Sequence, residues 1–337
     1  MPFSLRMTNS NPSRLTVVLR LSILLCLAGG LRAQEPLCLQ RTVVANVLTE
    51  AGQPVADVPA SSFRGTFRGK PVRVVSATRD LRPRRIVVLL DASGSMLEGG
   101  GKWQLARRAV GDILSALPAK DQIALLVFAA KVDAVVGFSE GRRAIADKIA
   151  ALEAGRKAFP KGSRYTALFD AMMESLSLLQ PAQQGDVIYL ISDGGDSDSR
   201  AKPDKVKQAL LRAGVRLFVM GLVDRVDFRL RTPEELNVPS LMRDFAEDTG
   251  GDILMVEGYT FTGKREAALN LNLKLLYSQM TQFYRLEVAL AEPIDRPGRW
   301  QLKLVDDNGK EVKLWHPAYQ SILLPCNPPT AQKKENN

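Results

Sequence analysis

Acidic and hydroxyl side chains follow directly after a short apolar run in the first third of the chain. The run covers residues 86–90, and Asp91, Ser93 and Ser95 come immediately after it. An apolar run without polar alternation predicts a strand buried on both faces, as in a parallel sheet covered by helices. Ligands of open α/β sheets bind where such strands end. Carboxylate and hydroxyl oxygens gathered there suit a hard cation such as Mg²⁺.

The pentapeptide alone has a second interpretation, because Asp, Ser and Gly are also common in turns and at helix starts. Two distant segments favour the metal interpretation. Thr166 opens a segment with helical spacing of apolar residues, and a second apolar run, residues 187–191, is followed by Ser192, Asp193 and Gly194. Three such segments in one chain favour a shared site over an isolated turn.

Together these segments resemble the metal-ion-dependent adhesion site (MIDAS) of von Willebrand factor A (vWA) domains. The resemblance rests on DASGS at 91–95, on the Thr166 segment and on SDG at 192–194, and it covers roughly residues 84–282. In that family two serines and a threonine bind the ion, and aspartates bind it directly or through water. The resemblance implies an intact metal site, without catalytic residues, formed by Asp91, Ser93, Ser95, Thr166 and Asp193.

Strand and helix patterns alternate from residue 84 to residue 282. Helical apolar spacing marks residues 104–117, and apolar runs mark strands such as residues 123–128 and 217–222. The alternation predicts an α/β fold, with a doubly wound, mostly parallel sheet of the vWA or Rossmann-like kind. Residues 132–138 follow a strand after a link of three residues, which permits only an antiparallel pairing at one edge.

The segments on either side of this region are rich in β-forming residues. Two short β segments would each expose an apolar face, so we expect them to fold together into a small β module. The first of them also resembles, at 50–55, Phe63 and 69–72, the region before the vWA domain in exported bacterial proteins of the acidobacterial VWFA-related family. The predicted parts are a signal peptide (1–33), an amino-terminal β segment (34–83), a vWA domain (84–282), a carboxyl-terminal β segment (283–327) and a tail (328–337).

The amino terminus has the three-part layout of a secretory signal peptide. Arginines precede a short apolar stretch at residues 21–28, and small residues up to Ala33 suit a cleavage site. The alternative is an uncleaved amino-terminal anchor, although the stretch is short for a membrane-spanning helix. No other segment of the sequence is expected to span a membrane. We therefore expect an exported protein that is periplasmic, on the cell surface or secreted.

Charge and cysteine content bear on the partners of the chain. The formal net charge is +10, but no nucleic-acid recognition motif accompanies the basic residues, so we expect no binding to nucleic acid. Of three cysteines, Cys26 lies in the predicted signal peptide, which leaves Cys38 and Cys326. An oxidising compartment favours pairing, so an intramolecular disulfide between these two is our hypothesis.

The predicted function is that of an exported module for protein interaction or adhesion. Asp91 and Asp193 supply two negative charges, which balance a divalent ion, and bound Mg²⁺, Mn²⁺ or Ca²⁺ would keep one coordination position for an outside oxygen. An Asp or Glu of a protein partner suits that position best. Basic residues in the loop before Thr166 have two interpretations, electrostatic steering of such a partner or a solvated loop without that role: Arg156, Lys157, Lys161 and Arg164.

Two alternatives stay open at this point. A structural or assembly component of the cell envelope would not need the metal. A metal-dependent hydrolase is less well supported, because no recognisable motif positions a general base. We therefore predict that the chain is not an enzyme.

Overall fold

The structure is a computed structural model, and it describes residues 39–97, 101–154, 165–223, 233–259 and 261–326. The predicted signal peptide at 1–33, the tail at 328–337, Cys38 and the basic loop residues at 156–164 lie outside the described residues. Within the described part of the chain, no helix is long and apolar enough to cross a membrane.

One sheet has six strands in the order β6-β5-β4-β7-β8-β9. It is mixed: β4 pairs in parallel with β5 and β7, the β7–β8 and β8–β9 pairs are parallel, and β6 is antiparallel to β5 at one edge. Its strands are β4 (Arg85–Asp91), β5 (Gln122–Phe128), β6 (Val132–Val136), β7 (Val187–Ser192), β8 (Arg216–Val223) and β9 (Ile253–Glu257).

Helices cover both faces of this sheet, which explains the unbroken apolar run of β4. Ile86, Val88 and Leu90 pack in one core cluster, and Val87 and Leu89 pack in the other. All five are fully buried, and each contributes about 1.5–3 kcal/mol through the hydrophobic effect. The helices are α1 (Gly94–Leu97), α2 (Gly101–Ala116), α3 (Gly141–Ala154), α4 (Leu168–Leu178), α5 (Pro203–Ala213), α6 (Pro233–Asp248) and α7 (Lys264–Thr281).

The second sheet has seven strands in the order β12-β1-β10-β3-β2-β11-β13, and all of its pairings are antiparallel. Alternate residues of β10 and β11 are buried, which gives this sheet a core of its own around Tyr284, Leu286 and Trp300. Its strands are β1 (Gln40–Thr49), β2 (Phe63–Phe67), β3 (Lys70–Arg79), β10 (Tyr284–Ala289), β11 (Gly298–Leu304), β12 (Trp315–Tyr319) and β13 (Ile322–Leu323).

The fold-class prediction was wrong. We expected one doubly wound, mostly parallel sheet with a small β module, whereas the sheet with more strands is antiparallel throughout and the other sheet is mixed. The error arose because the pairing of β strands is decided by contacts between segments far apart in the chain. β1 pairs with β10, and β2 pairs with β11. Residue periodicity within a segment indicates a strand but does not name its neighbour.

Candidate functional site

Asp91 is the last residue of β4, and it lies beside the end of β7. Leu90 and Ile191 are register partners in this parallel pair, so the polar residues that follow them meet at the carboxyl edge of the sheet. The Asp91 side chain is fully buried. Its Oδ2 accepts a hydrogen bond of 2.5 Å from Ser192 Oγ, and its Oδ1 accepts one of 2.8 Å from the backbone N–H of Ser93. The two bonds hold the carboxylate in one orientation.

Ser93 and Ser95 stand at the start of the short helix α1. Their hydroxyl oxygens are 3.2 Å apart. The Ser93 carbonyl accepts hydrogen bonds from the backbone N–H groups of Met96 and Leu97, so the turn after β4 is closed by the helix. Ser93 is buried and Ser95 is exposed. The Ser93 hydroxyl therefore lies inside the site, and the Ser95 hydroxyl lies at its solvent-exposed side.

Thr166 is held against the loop that follows β7. Its backbone N–H donates to Ser197 Oγ over 3.0 Å, and its carbonyl accepts from the Ser197 N–H over 2.9 Å. Its hydroxyl faces Gly195, where a Cβ atom would lie 3.8 Å from Thr166 Oγ1. The next residue, Ala167, donates its N–H to the carbonyl of Ala129 just after β5. Thr166 is thus fixed at the same edge of the sheet, and its hydroxyl faces Gly195, which comes two residues after Asp193.

Asp193 is buried, and it forms an ion pair with a residue that sequence reasoning did not assign to the site. Its Oδ2 lies 2.8 Å from Lys102 Nζ, and both side chains are about 95% buried. The sequence carries a signal for this residue, because Lys102 occupies the same helical face as Ala106, Ala109 and Ile113, which are buried. A lysine on an apolar helix face needs a buried partner.

A second group missed by the sequence analysis fixes the start of α4. Asp196 Oδ1 accepts from the Leu168 N–H over 2.9 Å, and Ser199 Oγ accepts from the Phe169 N–H over 2.9 Å. Asp170 in turn accepts from the backbone N–H of Ala201 over 2.7 Å. Side chains from one loop cap a helix that begins in another, so the Thr166 segment and the loop after β7 are positioned as one unit.

Two buried carboxylates, those of Asp91 and Asp193, dominate the electrostatics of the site. Burial and, second, the negative charge of Asp193 raise the pKa of the Asp91 carboxyl to about 7, although hydrogen bonds from Ser192 and Ser93 act in the opposite direction. A positive charge placed near both carboxylates would relieve the repulsion. Lys102 provides one such charge at Asp193.

The structure brings Asp91, Ser93 and Ser95 together after β4, with Ser192 and Asp193 beside them and Thr166 on the adjoining loop. Within the described ranges, no group of three or more Asp, Glu, His or Cys side chains is arranged to hold a metal ion. The predicted set contains only two carboxylates, and its other members are hydroxyls, so it is not a group of that kind. The predicted basic loop residues at 156–164 lie outside the described residues.

The segment that contains this site is similar to a known kind of domain. Residues 86–195 match the model of the von Willebrand factor type A domain. Comparison of the chain with curated proteins gives no match.

Several solved structures are similar to the chain. BatB from Bacteroides thetaiotaomicron is 16% identical over 57% of this chain and 98% of its own, with a TM-score of 0.41. An aerotolerance-related membrane protein from Bacteroides fragilis NCTC 9343 is 17% identical with the same coverage and the same TM-score of 0.41.

A von Willebrand factor type A protein from Catenulispora acidiphila is 12% identical over 86% of this chain and 75% of its own, with a TM-score of 0.44. No conclusion about function rests on similarities this distant. The match to the family model is the comparison that bears on function: residues 86–195 are similar to a von Willebrand factor type A domain, a kind of domain that typically serves in protein interaction or adhesion.

Proposed function

We propose that the chain is an interaction module that binds an acidic group of a protein partner through a divalent cation. The cation would be held by Asp91, Ser93, Ser95, Thr166 and Asp193. The observation that carries this proposal is the burial of two carboxylates at adjacent strand ends, which raises the pKa of Asp91. Two buried negative charges are costly unless a positive charge accompanies them.

The donor set fits a hard divalent cation. Carboxylates and hydroxyls supply oxygen only, which is the chemistry that Mg²⁺, Mn²⁺ and Ca²⁺ prefer. The Ser95 hydroxyl is exposed, so the site opens to solvent on that side. When bound, the cation would supply positive charge to an incoming carboxylate. The carboxylates and hydroxyls of the site would hold and orient the ion.

The module would act outside the cytoplasm. This part of the proposal is supported by the charged, apolar and small-residue layout of residues 1–33. We further propose that the chain has no enzymatic activity, since the hydroxyl that is hydrogen-bonded to a carboxylate in the site, Ser192 to Asp91, is buried together with that carboxylate, where a substrate would not reach it.

The proposal is tested by metal binding in solution. Mn²⁺ binding is measured by electron paramagnetic resonance for the wild type, for Asp91→Asn, and for Glu311→Gln as a control. Glu311 is an exposed carboxylate that pairs with Lys303 far from the site. We expect one Mn²⁺ site in the wild type and the control and none in Asp91→Asn. Equal binding by all three proteins, or by none, would contradict the proposal.

A metal-independent structural role is the second candidate, and the Lys102–Asp193 ion pair favours it. The ammonium already compensates one of the buried carboxylates over 2.8 Å without a metal ion. Partner capture in Mg²⁺ and in a chelator separates the two functions. Capture that survives both chelation and Asp91→Asn would support the structural role.

A further inference from the structure

A cavity of about 290 Å³ lies at the junction of the two sheets, at the edge of the six-stranded sheet opposite to Asp91. The chain passes between the sheets at residues 80–84, from β3 to β4, and at residues 282–283, from α7 to β10, and both links contribute to the wall of this cavity. Its volume is at the lower end of the range for ligand pockets, about 300–1,000 Å³. An occupant would therefore be a small molecule that contacts both links.

Two arginines of the wall are engaged by the protein itself. Arg82 Nε donates to both oxygens of Asp80 over 3.0 Å, and Arg84 forms an ion pair with the same carboxylate over 2.9 Å. Arg84 Nε also donates to the carbonyl of Thr281 over 3.1 Å, which connects the first link to the end of α7. These contacts fix the wall of the cavity and use the charge of Asp80 within the protein.

Two further basic side chains, those of Arg79 and Lys120, line the cavity and are exposed. In the described part of the chain, neither forms an ion pair, and Lys120 Nζ donates only to the carbonyl of Leu81, over 3.1 Å. Cations that no carboxylate neutralises favour an anionic group, and a guanidinium binds a carboxylate through two parallel hydrogen bonds. The exposed side of the cavity is therefore suited to the carboxylate of a ligand.

Asp121 gives the buried side of the cavity the opposite charge. It lines the cavity and is only 5% exposed. Its Oδ1 accepts from the backbone N–H of Arg84 over 2.9 Å, whereas its Oδ2 is buried and has no hydrogen-bond partner among the described residues. A buried carboxylate oxygen without a donor is costly, and bulk solvent does not supply one there. An ammonium group brought by an occupant of the cavity would supply the missing donor.

We propose that this cavity binds a small zwitterion, with its ammonium group on Asp121 Oδ2 and its carboxylate on Arg79 and Lys120. A free amino acid is the simplest molecule of this class. An anion alone leaves the Asp121 oxygen without a donor, and a cation alone leaves the two exposed basic side chains without a counter-ion. The cavity and the metal site lie at opposite edges of the six-stranded sheet, so zwitterion binding does not depend on the proposed function.

Isothermal titration calorimetry of the full chain tests the proposal. The probes are glycine and γ-aminobutyrate, which differ in the separation of their charged groups, and acetate and methylammonium, which each carry one charge. We expect one of the two zwitterions to bind about tenfold more tightly than either singly charged probe, because both of its ends are paired. The same zwitterion should raise the melting temperature, since it binds only the folded state. No binding by either zwitterion, or equally tight binding of acetate, would overturn the proposal.

Variants test the two ends of the ligand separately. Asp121→Asn keeps an oxygen for the Arg84 N–H and replaces Oδ2 by an N–H donor, so we expect zwitterion binding about tenfold weaker than in the wild type. Arg79→Gln should weaken binding about threefold, because a pair at an exposed position contributes less. Arg143→Gln is the control, since Arg143 lies on α3 with a 94% exposed side chain and should leave binding unchanged.

Wild-type affinity in both Asp121→Asn and Arg79→Gln would show that the zwitterion binds elsewhere, and it would overturn the assignment. Circular dichroism verifies folding of each variant, and Lys120→Gln, a change at an exposed position, replaces Asp121→Asn in the comparison if the latter does not fold. Asp91→Asn should bind the zwitterion as the wild type does. A zwitterion that binds to a protein without an Mn²⁺ site, or the reverse result, therefore distinguishes failure of the proposed function from failure of this proposal.

Discussion

Arg216 Nη1 donates a hydrogen bond of 3.0 Å to Asn46 Oδ1, and this bond joins the first residue of β8 to the middle of β1 in the other sheet. The same guanidinium donates to the carbonyls of Gln279 and Met280 in the last turn of α7, over 3.0 and 2.6 Å. A cation near the carboxyl end of a helix is favourable. One buried side chain thus connects the six-stranded sheet, the seven-stranded sheet and the helix between them.

We expect Arg216→Met to destabilise the protein by about 3 kcal/mol, because Asn46 Oδ1 and the Met280 carbonyl lose the Arg216 donor, while the Gln279 carbonyl keeps only its bond from Asn46 Nδ2. The free energy of unfolding, measured with urea, provides the test. Arg143→Met is the control, since Arg143 is 94% exposed and its nearest carboxylate is 3.9 Å away. Equal stability of the two variants would show that Arg216 does not hold the sheets together.

Ser192→Ala removes the hydroxyl that donates to Asp91 Oδ2, and we expect a loss of about 2 kcal/mol, because a buried carboxylate oxygen loses its partner. The measurement is thermal unfolding in the presence of a chelator, so that bound metal does not contribute. Ser177→Ala is a matched control, since the Ser177 hydroxyl also donates a hydrogen bond, to the Met173 carbonyl, but is exposed. A melting temperature of Ser192→Ala equal to that of the control would contradict the role of Ser192.

Mg²⁺ should stabilise the wild type through the site. A ligand that binds only the folded state contributes about 2.7 kcal/mol at a concentration one hundred times its dissociation constant. Asp91→Asn removes one of the two carboxylates, so we expect Mg²⁺ to leave its melting temperature unchanged. The comparison is made by calorimetry with Mg²⁺ and with chelator. A shift of the same size in both proteins would place the effect outside the site.

Asp248, at the end of α6, should make the stability of the protein depend on pH. Protonation of its carboxylate at low pH should lower the free energy of unfolding. Burial tends to raise the pKa of this carboxyl, but hydrogen bonds from Lys207 and Ser321 and the charges of Lys207 and Arg299 outweigh it and lower the pKa. A lowered pKa in the folded state means that the stabilisation is present above the unfolded-state value of about 3.9 and is lost as the pH falls through the folded-state value.

Asp248→Asn should therefore be less stable than the wild type near neutral pH and should lose less stability between pH 5 and pH 3, values that bracket the unfolded-state pKa of about 3.9. Urea unfolding at a series of pH values measures the difference. Asp306→Asn is the control, because Asp306 is an exposed turn residue. Parallel pH profiles for wild type and Asp248→Asn would contradict the assignment.

Cys326 is disulfide-bonded, and its partner lies outside the described residues. The sequence offers Cys26 and Cys38, and pairing with Cys38 stays our prediction. Closing so large a loop contributes up to about 5 kcal/mol in the chain-entropy model. Cys38→Ser and Cys326→Ser should destabilise the protein equally, whereas Cys26→Ser should not. Peptide mapping without reduction identifies the pair directly, and a Cys26–Cys326 peptide would refute it.

Several local features could be read from the sequence because they depend on neighbouring residues. The apolar run at 86–90 predicts a strand buried on both faces, and β4 is buried in this way because helices cover both sides of its sheet. Asp91, Ser93 and Ser95 are close in the chain, so the turn after β4 brings them together without help from distant segments. The match of residues 86–195 to the vWA domain also depends on sequence alone.

The tertiary structure decided what depends on distant contacts. The seven-stranded antiparallel sheet arises because strands from both ends of the chain interleave, with Val43 opposite Leu286 and Leu302 opposite Gly65. The ion pair of Lys102 with Asp193 joins residues 91 positions apart, and only packing of α2 beside the end of β7 brings them within reach. Residue types and spacing determine the strands and the polar turn, whereas burial and long-range pairing determine which charges face each other.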